Sequence, residues 1–185
     1  MRVLQLSSPD GTNRLTRVCV LELTAAIREL ARDARPLIVT GNHKFFSAGA
    51  DLREIGALTA AEALEFSRAG QELMNLIAGF PAPVCAAIHG YCIGGGLDLA
   101  LACDYRVAGP HAIFGHRGAA LGLITGWSGT QRLPRLVGKA HALQMFVAAE
   151  KVNSAEALRI GLVNAAADDP VGWAAAKLKQ LAIST

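Results

Sequence analysis

Residues 84–103 read "VCAAIHGYCIGGGLDLALAC", twenty positions in which only His89 and Asp98 carry a strongly polar group. A run of that length is long enough to cross a bilayer as one helix. The three adjacent glycines, Gly94 to Gly96, and an aspartate at mid-bilayer depth argue against it. A buried strand, a glycine turn and a buried helix satisfy the same residues without that cost. The segment therefore demands a core large enough to enclose it on all sides. A chain of 185 residues with 52% apolar and 18% charged side chains can form one as a single domain.

The rest of the chain repeats the theme. "PLIVTG" (36–41) is a short apolar run closed by glycine and reads as a buried strand, after a helical stripe over residues 15–33. "SPDGTN" (8–13) is turn chemistry. Thr59 with Glu62 fits a capping box and opens a helix to about residue 78. "YRVAG" and "HAIFG" read as strands, and helices are expected over 128–137, 139–149, from Asn153 or Ser154 to Gly161, and over 171–181. "LVNAA" is a further strand. Strands and helices alternate from end to end, which defines the α/β class. No fixed-period sequence repeat is visible.

Charge and cysteines narrow the partners. The net charge of +3 is mild and its cations are scattered, which excludes a nucleic-acid surface. Cys19, Cys85, Cys92 and Cys103 form no CxxC pair and read as reduced thiols of a cytoplasmic protein. The opening "MRVLQLSSPDG" lacks the apolar stretch of a signal peptide. No His, Asp or Glu spacing marks a metal site.

A glycine turn between a strand and a helix exposes backbone N–H groups that have no partner inside the helix. Such a spot holds an anion or polarises a carbonyl; equally, the glycines serve close strand–helix packing. "GGGLDL" is neither the GxGxxG fingerprint nor a phosphate loop. A second loop, "FFSAGADL" (45–52), also follows a buried strand and offers small residues.

"HKFFSAGADLREI", "AAIHGYCIGGGLDLALACDYRVAGPHAIFGH" and "GTQRLPRLVGKAHAL", in that order, resemble the crotonase superfamily, the enoyl-CoA hydratase/isomerase family. The resemblance implies a spiral of ββα units binding acyl-CoA thioesters, with no cofactor beyond the coenzyme A of the substrate. It implies an oxyanion hole from the amides of Ala50 and Gly95, where losing one donor costs about 10²–10³ in rate. Ala48, Ala50, Asp51, Leu52 and Arg53, with Gly94 and Gly95, would line the substrate channel. Arg53 and Lys44 are candidates for the CoA phosphates, Lys44 being otherwise a solvated surface residue. The family also implies a homo-oligomer, a trimer or dimer of trimers. Its C-terminal helical segment is largely missing here, which leaves the acyl pocket open or closed by a neighbouring subunit.

Two positions depart from the family pattern. Its hydratases use two glutamates. The first falls on Asp98, whose carboxylate is pulled back by roughly 1.5 Å, one C–C bond; a displacement of about 1 Å can cost about 10²-fold. The second falls on Gly118, which transfers no proton. One-carboxylate chemistry, such as moving a double bond along the acyl chain, fits better than two-glutamate hydration. Asp98 is the expected base, or else only a helix-capping acid. His116 is a candidate acid or base, or else a packed histidine. A binding protein without turnover is the rival reading. "GWSGT" (126–130) imitates a serine-hydrolase elbow but has Thr130 in place of the last glycine, so Ser128 reads as an N-cap. Trp127, Met145 and Phe146 read as packing residues.

Overall fold

The computed structural model describes residues 1–183. Strand β1 (Arg2–Gln5) and the short β2 (Arg14–Leu15) lead into helix α1 (Arg17–Leu30), capped by the Thr16 hydroxyl on the Cys19 N–H. Strands β3 (Leu37–Thr40), β4 (Phe45–Ser47) and β5 (Gly49–Ala50) precede helices α2 (Leu52–Ala57) and α3 (Ala60–Ala78). The expected capping box is in place on α3: Glu62 N–H donates to the Thr59 hydroxyl, and Thr59 N–H to the Glu62 carboxylate. Strands β6 (Val84–Ile88) and β7 (Tyr91–Ile93) deliver the buried helix α4 (Gly95–Ala102). Strands β8 (Tyr105–Ala108) and β9 (Ile113–Gly115) lead to α5 (Gly129–Phe146). Then follow β10 (Lys151–Asn153), α6 (Ser154–Arg159), β11 (Ala165–Ala166) and α7 (Pro170–Ile183).

The spiral is visible in the strand order. Among the described residues one parallel sheet runs β1-β3-β6-β8-β11, and a second, mixed sheet runs β10-β9-β7-β4, with β10 antiparallel to β9. Each turn of chain lays one strand in the first sheet and the next in the second, then a helix: β3–β4, β6–β7 and β8–β9 are successive turns. The repeat lies in the backbone path, and side chains at equivalent places differ, which is why no sequence period shows it.

The first sheet is buried on both faces, so its central strands are continuous apolar runs. Leu37, Val39, Val84, Ala86 and Ile88 face the main core, whereas Ile38, Cys85, Ala87 and Val107 pack under Ala174 and Leu178 of α7. The cysteines are free thiols. Burial pushes the Cys85 thiol up to about 12 and raises those of Cys92 and Cys103 above the usual range.

Some local expectations change. "NHKFFSAGAD" was expected to be a loop, yet it contains β4 and β5, and Tyr91–Ile93 is a strand rather than part of the glycine turn. Short segments like these are fixed by their partners, not by propensity. The two helices expected on either side of residue 138 are one element kinked at Gly138, whose φ is 79°. Ser128 does stand at the start of that helix, but with φ 73° and no side-chain cap; its left-handed backbone turns the hydroxyl away from the N-cap role.

Helix α4 is buried along its length, from Gly96 to Ala102. Its C-terminal end is held by Arg106, 5% exposed, whose Nη1 donates to the carbonyls of Cys103 (2.6 Å) and Ala100 (3.4 Å) and whose Nε donates to Leu162 (2.9 Å). Arg106→Met fits the space but strands these carbonyls, so urea unfolding should show a loss of about 3 kcal/mol.

Candidate active site

The three glycines at the head of α4 are required for different reasons. Gly94 takes φ 55°, a left-handed conformation that turns β7 into the helix. A Cβ on Gly95 would fall 2.4 Å from the Trp127 ring, and one on Gly96 would fall 2.7 Å from Ser47. Side chains are excluded because two other segments already occupy the space.

The segment carrying Ala50 is fastened from below by Asn13. Its Nδ2 donates to the carbonyls of Phe45 (2.9 Å) and Phe46 (3.2 Å), and its own carbonyl accepts from the Ser47 hydroxyl at 2.7 Å. That hydroxyl accepts from the Gly49 N–H at 3.1 Å, and β5 pairs with β2 through Leu15 opposite Ala50. Asn13 is buried with φ 52°. Sequence reading saw only a turn in "SPDGTN". The available signal was that asparagine tolerates the left-handed region and can bond backbone two ways.

These fastenings bring the two loops together. A Cβ on Gly49 would lie 2.9 Å from the Gly95 nitrogen, and a Cβ on Gly95 would lie 3.4 Å from the Ala50 nitrogen. Gly95 is the first residue of α4, so its N–H has no acceptor inside the helix and sits at the positive end of the helix dipole. Ala50 and Gly95 both line one cavity of about 680 Å³. Its walls include Ala48, Leu52, Ile55, Leu121 and Ile124, together with Asp98, His116 and Thr125.

Asp98 is fully buried. One carboxylate oxygen, Oδ2, accepts a short hydrogen bond from the Thr125 hydroxyl. That hydroxyl in turn accepts from the Trp127 N–H at 3.3 Å, which leaves its proton directed at Asp98. The other oxygen, Oδ1, lies 3.2 Å from His116 Nε2 without hydrogen-bond alignment. Both atoms are buried and have no hydrogen-bond partner among the described residues. His116 is 3% exposed and its ring packs on Phe146 with centroids 4.7 Å apart. Arg132, in the first turns of α5, feels the Asp98 charge, although burial is the larger influence and lowers its pKa.

The other expected residues divide. Ala48, Ala50, Leu52, Gly94 and Gly95 line the cavity, whereas Asp51, Arg53 and Lys44 are not among the lining residues. Asp51 instead caps α2, its Oδ1 accepting the Arg53 N–H at 2.8 Å, and Lys44 is exposed. Gly118 lines the cavity but has no room for a side chain. A Cβ there would fall 2.6 Å from the Leu123 carbonyl oxygen, and its own carbonyl accepts both the Leu121 and Leu123 N–H groups at 2.8 Å. Thr125 and Trp127 were not anticipated at the site. Met145 is buried, as expected of a packing residue. Among the described residues no group of three or more His, Cys, Asp or Glu gathers at metal-binding range, and no helix is long and apolar enough to cross a membrane.

A spiral of ββα turns with a glycine-headed buried helix at its centre defines the crotonase fold class. The chain belongs to the enoyl-CoA hydratase/isomerase family, whose model matches residues 1–181. It is 42% identical to a crotonyl-CoA hydratase of Syntrophomonas wolfei over 167 residues, 89% of this chain and 64% of that one. It is also 42% identical to a probable enoyl-CoA hydratase of Bacillus subtilis over 170 residues, 90% of this chain and 66% of the relative. The chain thus spans just under two thirds of these relatives' length. Among solved structures, DspI of Pseudomonas aeruginosa superposes with a TM-score of 0.92 at 38% identity, covering 97% of this chain and 70% of that one. An enoyl-CoA hydratase from Bacillus anthracis gives 0.87 at 32% identity, covering 98% and 71%.

Restoring a carboxylate at position 118 conflicts with the turn that closes on it. Gly118→Glu should lower the unfolding free energy by about 1–3 kcal/mol, read by urea denaturation, and should add no hydration of crotonyl-CoA.

Proposed function

We propose that this chain acts on an acyl-CoA thioester, stabilising an enolate oxygen at the Ala50 and Gly95 amides, with Asp98 as the single carboxylate that moves the proton. The observation that carries the reading is the buried pair Asp98 Oδ1 and His116 Nε2, 3.2 Å apart, unpartnered, on the cavity wall beside Gly95. Buried polar atoms left without protein partners are expensive unless a ligand meets them. Thr125 holds Oδ2, which leaves Oδ1 as the oxygen that lies beside His116.

The reaction class follows from what is missing. With no side chain at Gly118, the second acid of a two-glutamate hydration is absent. In an isomerase-type reaction Asp98 takes the proton from the carbon beside the thioester carbonyl. The electron pair moves onto the carbonyl oxygen, facing the two amides, and the proton returns two carbons further along as the double bond shifts. His116 serves as the neighbouring acid–base group. In a one-carboxylate lyase, His116 would handle the proton of water instead. The hydratase names of the relatives favour that second course. With either reaction go coenzyme A as part of the substrate and no other cofactor, a homo-oligomeric state and a cytoplasmic setting.

Asp98→Asn keeps the shape and the Thr125 contact but removes the base. Turnover of 3-enoyl- or 2-enoyl-CoA, followed by chromatography of the products, should fall by about 10³, while the affinity for CoA thioesters stays within about twofold. Unchanged turnover would move the chemistry away from Asp98. Wild-type binding with no product from either thioester would leave the protein a binder.

A further inference from the structure

We propose that Trp127 is the wall that limits acyl length, so that the site takes short acyl thioesters and turns away long ones. The inference rests on the acyl-CoA reading above and concerns a residue whose sequence context marked it only as packing.

The indole is wedged between Gly70 of helix α3 and Gly95 of helix α4. It is 5% exposed yet forms part of the cavity lining. Its Nε1 donates to the Phe66 carbonyl at 3.3 Å, and its ring meets the Phe66 ring edge-on, with centroids 5.1 Å apart and planes at 85°. Two glycines make way for it. A Cβ on Gly70 of α3 would fall 2.0 Å from Nε1, and one on Gly95 would fall 2.4 Å from the far side of the ring. The ring is thus gripped at both edges and cannot swing aside without losing its hydrogen bond and the Phe66 contact.

The position matters because Gly95 carries one of the two amides proposed for the thioester oxygen. An acyl chain anchored there begins against the indole. The passage between α3 and α4, lined by Phe66 and the bare backbone of Gly70, is filled by the ring. Of the other apolar lining, Leu121 and Ile124 are largely exposed and Ile55, Leu58 and Ile93 are half-buried, so a longer chain turned aside by the ring gains only partial burial. Elsewhere each methylene that finds apolar shelter raises affinity about fourfold. Here that gain should stop after the first few carbons.

The test is calorimetric titration of the full chain with free CoA, butyryl-CoA and decanoyl-CoA, saturated thioesters that bind without reacting. Wild type should bind butyryl-CoA more tightly than CoA, and decanoyl-CoA no more tightly than butyryl-CoA. Trp127→Ala opens the passage and should raise the decanoyl-to-butyryl affinity ratio by about tenfold or more. Trp127→Phe, which keeps an aromatic ring against Phe66 and stands in if the alanine variant does not fold, should raise it by a smaller factor. Decanoyl-CoA binding several-fold tighter than butyryl-CoA in wild type, or a ratio unmoved in the variants, would overturn the wall while leaving the acyl-CoA reading intact. Thioesters binding no better than CoA would overturn both.

Discussion

The burial of helix α4 between α3, α5 and the strands β4, β5 and β7 is the constraint on which the site depends. A helix enclosed on all sides needs its end groups satisfied by protein, because water does not reach them. At the C-terminal end the Arg106 guanidinium takes the Ala100 and Cys103 carbonyls. At the other end Gly94 to Gly96 remove every side chain, so that Ser47, the Ala50 segment and Trp127 close directly on backbone. Ala50, Gly94 and Gly95 at that end line the cavity. On the proposed reading, fixing one end of the helix rigidly lets the other present amides without rearrangement, the condition under which electrostatic stabilisation of an oxyanion is strongest.

Asp98 and its surroundings show how such a scaffold tolerates a change of reacting groups. The carboxylate enters from the first turn of α4, is held at Oδ2 by Thr125 and leaves Oδ1 beside His116. The residue that would face it from the 118 position is a glycine locked in a turn whose own carbonyl is already used twice. On the proposed reading, the chemistry is set by one carboxylate, one imidazole and two backbone amides. The backbone groups come from the fold, whereas the side chains are local and exchangeable.

Much of this was legible in the chain. The strands at 37–40, 84–88, 105–108 and 113–115 announce themselves as apolar runs between turn residues, and the Thr59–Glu62 capping box fixes the start of α3. The motif resemblance located Ala50, Gly95 and Asp98, which share one cavity. What escaped were pieces too short to carry a pattern: β5 is two residues long and exists because β2 lies beside it. Asn13 read as a turn residue because its partners, the Phe45 and Phe46 carbonyls, are more than thirty positions away. The Arg53 side chain, expected at the substrate channel, belongs to a helix whose cap is Asp51.

The sequence by itself determined the α/β alternation, the buried strand–turn–helix at 84–103 and the absence of a carboxylate at position 118, since these depend on residue type and near-neighbour spacing. Only the tertiary structure decided that Gly118 lacks room for any side chain, that Thr125 and His116 divide the two oxygens of Asp98, and that Trp127 fills the gap between Gly70 and Gly95. Each of those facts is a distance between segments far apart in the chain. Close packing of the spiral sets such distances, and no local pattern encodes them.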